Sequence, residues 1–265
     1  MALSPSPERR PGLHPALSTR QGFALLEEAG SVRNLLRDSV EAIRSLRFVS
    51  LHGDGVFTLG SIGVEKAMKA MLGCNEVEAS GSWPSKKTLK DGWGHDIQRL
   101  SQLLDTAIER GLARSTHTGY AESLADRISG SATLPLLFAT FARYGKSGRF
   151  HHLDVLATDA PGSDDPPSDY WERVEFQVRT TEPEFAEIPY GDNRALEAYE
   201  ARLRGRIADE LETWWFCVHR LGVQGCFGDL GRKIGWEIWE PGRSEPPIVK
   251  SYPSINTRSN PDGHQ

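Results

Sequence analysis

Cysteine is scarce in this chain, with three among 265 residues. Cys74, Cys217 and Cys226 are an odd number and form no CxxC pair, so the sequence encodes neither a disulfide framework nor a paired-cysteine metal site. Buried, reduced thiols are the expectation. Long apolar runs are also missing, and nothing approaches the roughly 18 residues that a membrane span needs. The stretch MALSPSPERRPGLHP at residues 1–15 has no apolar segment of the secretory type, so a cytoplasmic protein without membrane contact is expected. Excess positive charge is lacking too. Lys and Arg number 31 against 36 Asp and Glu, a formal net charge of -5, which argues against non-specific coating of nucleic acid but permits a local basic pocket. No repeat of fixed period occurs, and no motif demands a cofactor.

What the sequence does contain is helical periodicity between two proline-rich ends, residues 1–20 and 242–265, which read as disordered tails. A helix is expected over residues 31–51, with Val32, Leu35, Leu36, Ile43 and Leu46 on one stripe, ending at the HGDG of residues 52–55. A second is expected over 57–72, and 74–94 reads as a long loop made basic by Lys86, Lys87 and Lys90. The apolar spacing over 96–110 predicts a third, strongly amphipathic helix. A fourth covers 119–128. The run SATLPLLFATFARY starts a fifth, with Thr133 as cap and Pro135 in its first turn. Residues 158–169 read as an acidic linker. Val174, Phe176 and Val178 alternate as a strand would, and 233–240 reads as a second strand. The longest helix is expected over 193–221, burying Trp214 and Trp215 in a core or a dimer interface.

The densest polar cluster is FARYGKSGRFHHLD, residues 141–154. Its bland reading is a helix C-terminus decorated with cations that complement the dipole. Its functional reading has Arg143 and Arg149 gripping phosphate, assisted by Lys146, with His151 or His152 as general base. A metal held by His151, His152 and Asp154 is disfavoured, because adjacent histidines on a helix diverge. Glu65, Lys66 and Lys69 form either a solvated helix face or a contact lining a pocket. His95 and Asp96 either start a helix or lie beside a ligand under the 74–94 loop. In the C-terminal half only Glu172, Glu175 and His219 suggest small-molecule chemistry.

The segment FTLGSIGVEKAMKAMLG (57–73), followed after a loop by GHDIQRLSQLL (94–104), resembles HEPN-type helical domains, the higher eukaryotes and prokaryotes nucleotide-binding family. The resemblance covers about residues 30–157. It implies a HEPN-like helical bundle at 30–157, so that with the periodicity above the expected fold is mainly α, this bundle followed by a helical extension at 170–240 that contains the small β element. It also implies a homodimer directed to RNA or a nucleotide, and in many members a metal-independent endoribonuclease of a toxin or defence system with a partner antitoxin or defence protein. The alternative within the family is a non-catalytic dimerisation or scaffold module. Nuclease members place an Arg and a His on a late helix with four to six residues between them. Here Arg47 and His52 have that spacing but lie on an early helix, about 140° apart around its axis. Arg143 and His151 occupy the late position at a longer spacing, with Gly145 and Gly148 between them. The implied catalytic set is therefore His151, His152, Arg143 and Arg149. The implied ligand-binding set is Lys146, Glu65, Lys69, His95 and Asp96, with no metal and no cofactor.

Overall fold

The computed structural model describes residues 12–158 and 165–246. Two long helices lead the chain: α1 (Thr19–Ser45) and α2 (Val49–Ser80). There follow α3 (Ile97–Gly111), α4 (Thr118–Ser129), α5 (Leu134–Lys146), the short α6 (His151–Thr158), α7 (Pro167–Thr181), α8 (Asn193–Gln224) and α9 (Gly228–Glu237). Among the described residues there is no strand. The expected helical bundle is present, and the expected small β element is not.

Each departure has a physical cause. The first helix begins at Thr19, well before residue 31, because Ser18 and Gln21 form a reciprocal capping box: the Ser18 hydroxyl accepts from the Gln21 N–H at 3.2 Å, and the Gln21 side chain accepts from the Ser18 N–H at 2.8 Å. Leu17, just outside the cap, is buried in the core, so residues 12–18 dock on the bundle, whereas 1–11 lie outside the described residues. The chain breaks between α1 and α2 at the extended, buried Leu46 and not at HGDG, which is helical throughout. Glycine disfavours a helix by about 1 kcal/mol per residue, but here packing outweighs propensity. A Cβ on Gly60 would come within 2.3 Å of the Phe141 ring, and one on Gly73 within 2.3 Å of the Trp83 ring. The missing side chains are the sockets into which α5 and the segment after α2 insert their aromatics.

The two expected strands are α7 and part of α9. In α7 the buried positions after Pro167 are Trp171, Val174 and Val178, a helical i, i+3, i+7 stripe, while Phe176 points to solvent. Val174 and Val178 fit either period, and Trp171 decides for the helix. Residues 233–237 complete α9, which buries Leu230 and Ile234. Helix α8 continues past Gly222 and ends at Gly225, which takes a left-handed φ of 90°. Gly222 is retained inside because α9 crosses there, with Gly235 Cα only 3.0 Å from where a Gly222 Cβ would stand.

Helix α2 is the central element, touching α1, α3, α5 and α9; α1 also packs on α8, and α9 fills the angle between α8, α1 and α2. The segments expected as bundle and as extension thus share one interior. Trp214 and Trp215 are both fully buried in this core. The three cysteines are free and buried, and burial pushes the Cys217 thiol up to about 12, which keeps it protonated and unreactive.

Buried charge is paired: Glu212 of α8 lies between Arg44 and Arg243, and a separate network centres on Arg206. Arg206 of α8 lies 2.6 Å from Glu182, just past α7, and 2.6 Å from Glu210, which accepts from the Ser131 hydroxyl at 2.6 Å. Burial pushes the Glu182 carboxyl up, against the pull of Arg206.

Candidate functional site

Five of the nine residues singled out in the sequence converge on one edge of the bundle, in two ion-paired groups. On α2, Lys69 Nζ donates to Glu65 at 2.7 Å, one helical turn apart. Glu65 is also 2.9 Å from His95 Nδ1, which arrives from the loop before α3. Next along the chain, Asp96 caps α3 by accepting from the Arg99 N–H, and its other oxygen accepts from Lys146 of α5 at 3.0 Å. Desolvation pulls the Asp96 carboxyl up, and the Arg99 and Lys146 bonds outweigh it, so the net shift is downward. Asp96 thus caps α3 as the helix-start reading expects, and His95 is joined to Glu65.

The residues expected to be catalytic do not converge in the same way. Arg143 donates to the Asp165 carbonyl at 2.7 Å and to the Ser147 hydroxyl at 2.5 Å. Arg149 stacks over Phe150, with 5.0 Å from guanidinium carbon to ring centroid. His151 and His152 lie edge to face with each other at 5.3 Å on α6, a helix none of whose residues is buried, and make no hydrogen bond or ion pair to a described residue. The break that separates them from α5 is set by Gly148, whose Cβ would stand 2.5 Å from Pro167. Among the described residues no group of three His, Cys, Asp or Glu is arranged to hold a metal ion. No helix among them is long and apolar enough to cross a membrane.

Beside the Glu65–Lys69 pair opens a cavity of about 500 Å³. Its floor is apolar, formed by Leu17, Leu25 and Ala70, and its far wall is Trp83 and Leu89 of the segment between α2 and α3. The volume lies in the range of small-molecule pockets. Charge is restricted to the rim. Lys66 bridges to Glu28 of α1 at 2.9 Å and to the Ser31 hydroxyl at 3.2 Å, and Lys69 faces Glu65. Lys86, Lys87 and Lys90 lie on the same segment as Trp83 and Leu89 and enter no ion pair among the described residues. Half-exposed pairs of this kind contribute under about 1 kcal/mol each, so a ligand can recruit either lysine at little cost. The cavity can accept a flat apolar body at its floor and an anionic group at its rim.

Sequence reasoning reached Glu65, Lys69 and the basic loop but missed Leu17, Leu25, Glu28 and Trp83. A signal for the first three existed in Ser18-x-x-Gln21, a capping-box pattern ahead of the spacing Leu25, Ala29, Val32, Leu36. Nothing local could have told that Trp83 folds back onto Gly73. Comparison of the chain with protein-family models, with curated proteins and with solved structures found no match in any of the three.

Proposed function

We propose that the chain is a nucleotide-directed helical module that binds its ligand without cleaving it, in the cavity between α1, α2 and the Trp83–Leu89 wall. The observation that carries this reading is the combination in one cavity of an apolar floor, a half-buried indole and a lysine-bearing rim. A nucleobase would lie on the floor against Trp83, and its phosphate would face Lys66, Lys69 and the loop lysines. The HEPN-like resemblance points to the same ligand class. An endoribonuclease of that type needs an Arg and a His aimed at one phosphate. Within one protomer Arg143 is directed at Asp165 and Ser147, and Arg149 at Phe150, which favours binding over cleavage.

Calorimetric titration with adenosine monophosphate and with a short single-stranded RNA tests the proposal. Saturable binding of either is expected, at least about tenfold weaker in Lys66→Gln/Lys69→Gln, since a charge-assisted hydrogen bond contributes roughly 1.5–3 kcal/mol. Failure of both probes to bind, or equal binding by the double variant, would refute it. Cleavage of the RNA in chelator, abolished by His151→Ala/His152→Ala, would replace the binding reading with the catalytic one.

A further inference from the structure

A second cavity, of about 470 Å³, shares no lining residue with the first. It lies where the C-terminal half of α8 meets α9, the turn that follows it and Tyr120 of α4. Its inner wall is a nest of rings. The His219 imidazole stacks on Trp239, with centroids 5.4 Å apart and planes 15° from parallel, and meets the Trp236 ring edge-on at 5.8 Å. Phe216 closes the group at 5.4 Å from Trp239. Although it belongs to this nest, the Trp236 side chain is 60% exposed. A large aromatic surface left open at a cavity mouth marks a place where something flat can be covered.

The polar groups of the cavity are selective about what that is. His219 Nδ1 is 2.7 Å from the Gly235 carbonyl, which can only accept, so Nδ1 carries the proton. The imidazole is neutral near neutrality, because burial, opposed by the Gly235 bond and helped by Arg220, pushes it down to about 4. Nε2 is then an acceptor with no partner among the described residues, on a ring that lines the cavity. Four charged residues share the lining, and three are committed. Glu245 lies 2.9 Å from Arg127, Glu240 lies 3.3 Å from Arg243, and Arg243 also binds Glu212. Arg220 differs. It is held between Tyr120 and Trp236, with its guanidinium carbon 5.6 and 6.0 Å from the two ring centroids, and its Nε donates to the Tyr120 hydroxyl at 3.3 Å. No carboxylate among the described residues pairs with it, so the outer guanidinium nitrogens keep their donors.

We propose that this cavity binds a planar aromatic acid, its ring against Trp236 and His219, its carboxylate on Arg220, and a ring N–H or O–H donated to His219 Nε2. The rings alone would also suit a cation, but Arg220 already lies over one face of Tyr120 and of Trp236 and repels further positive charge, while the Trp236 ring stays largely exposed for a ligand. An anion finds a guanidinium held in place in advance, and little ordering of the side chain remains to be done on binding.

The probe is indole-3-carboxylate, which carries ring, acid and N–H together, titrated into the full chain by calorimetry beside neutral indole and cationic tryptamine. Saturable binding of the acid is expected, with indole and tryptamine each at least about tenfold weaker, in line with the contribution of hydrogen bonds to charged groups. Arg220→Gln is expected to weaken the acid by about tenfold or more and to leave indole unchanged. Trp236→Ala, at an exposed ring whose loss does not threaten the core, is expected to weaken acid and indole alike. No binding by the acid, a preference for tryptamine, or an unchanged affinity in Arg220→Gln would each overturn the proposal.

Discussion

Acidifying the solution from neutrality to about pH 4.5 is expected to remove about 2–3 kcal/mol of stability through His219 alone. The imidazole is 3% exposed, stacked on Trp239, and its folded value lies near 4 against 6.5 for the free side chain. That gap corresponds to about 3–4 kcal/mol in all, at about 1.4 kcal/mol per pH unit. Between those two values the unfolded chain takes up a proton that the folded chain refuses. Stability is therefore fully present above about 6.5, falls as the pH drops, and is lost once the folded imidazole itself titrates near 4. Carboxylates change the pH profile as well, and comparison with His219→Asn cancels them. Asparagine places an amide N–H near the Nδ1 position and has no charge to gain. Urea unfolding followed by tryptophan fluorescence, at neutrality and at about pH 4.5 for both chains, gives a difference of differences that reads His219 alone. A value of about 2–3 kcal/mol is expected, and identical pH profiles for the two chains would refute the neutral, buried imidazole.

Three further outcomes follow from the packing. Gly73→Ala forces the Trp83 ring off α2, and a destabilisation of about 1–3 kcal/mol with an altered near-ultraviolet circular dichroism signal is expected; an unchanged spectrum would contradict the socket. Arg206→Leu leaves Glu182 and Glu210 buried without their cation, and a loss of about 3–5 kcal/mol in chemical denaturation is expected, most of it recovered when both acids are also replaced by glutamine. Ser18→Ala removes one arm of the capping box and is expected to cost about 1 kcal/mol, with faster amide exchange confined to the start of α1; uniform exchange along α1 would contradict it.

Periodicity alone located α3, α4, α5 and most of α8, because a helix that buries one stripe repeats its apolar residues every three or four positions wherever it packs. Asp96 and Pro135 mark the starts of α3 and α5 through backbone chemistry confined to a single turn. Composition was equally sufficient for the cysteines, which are free and buried. The two strand readings failed where a short window fits both periods, and only the burial of Trp171 and Ile234 in a shared core resolves them. Glycine was misleading for a related reason. HGDG resembles a helix end, yet Gly53 is helical and buried under Phe57, a role that depends on neighbours and not on local preference. The candidate sites belong wholly to tertiary structure. Glu65 and His95 were visible as residue types, but their contact closes a loop of thirty positions. His219 was visible as a residue type and Arg220 was not singled out, and only α9 folding back over α8 sets them in one cavity. Local preferences act over one helical turn, whereas a cavity is made by side chains far apart in the chain, which only the packing of whole helices brings together.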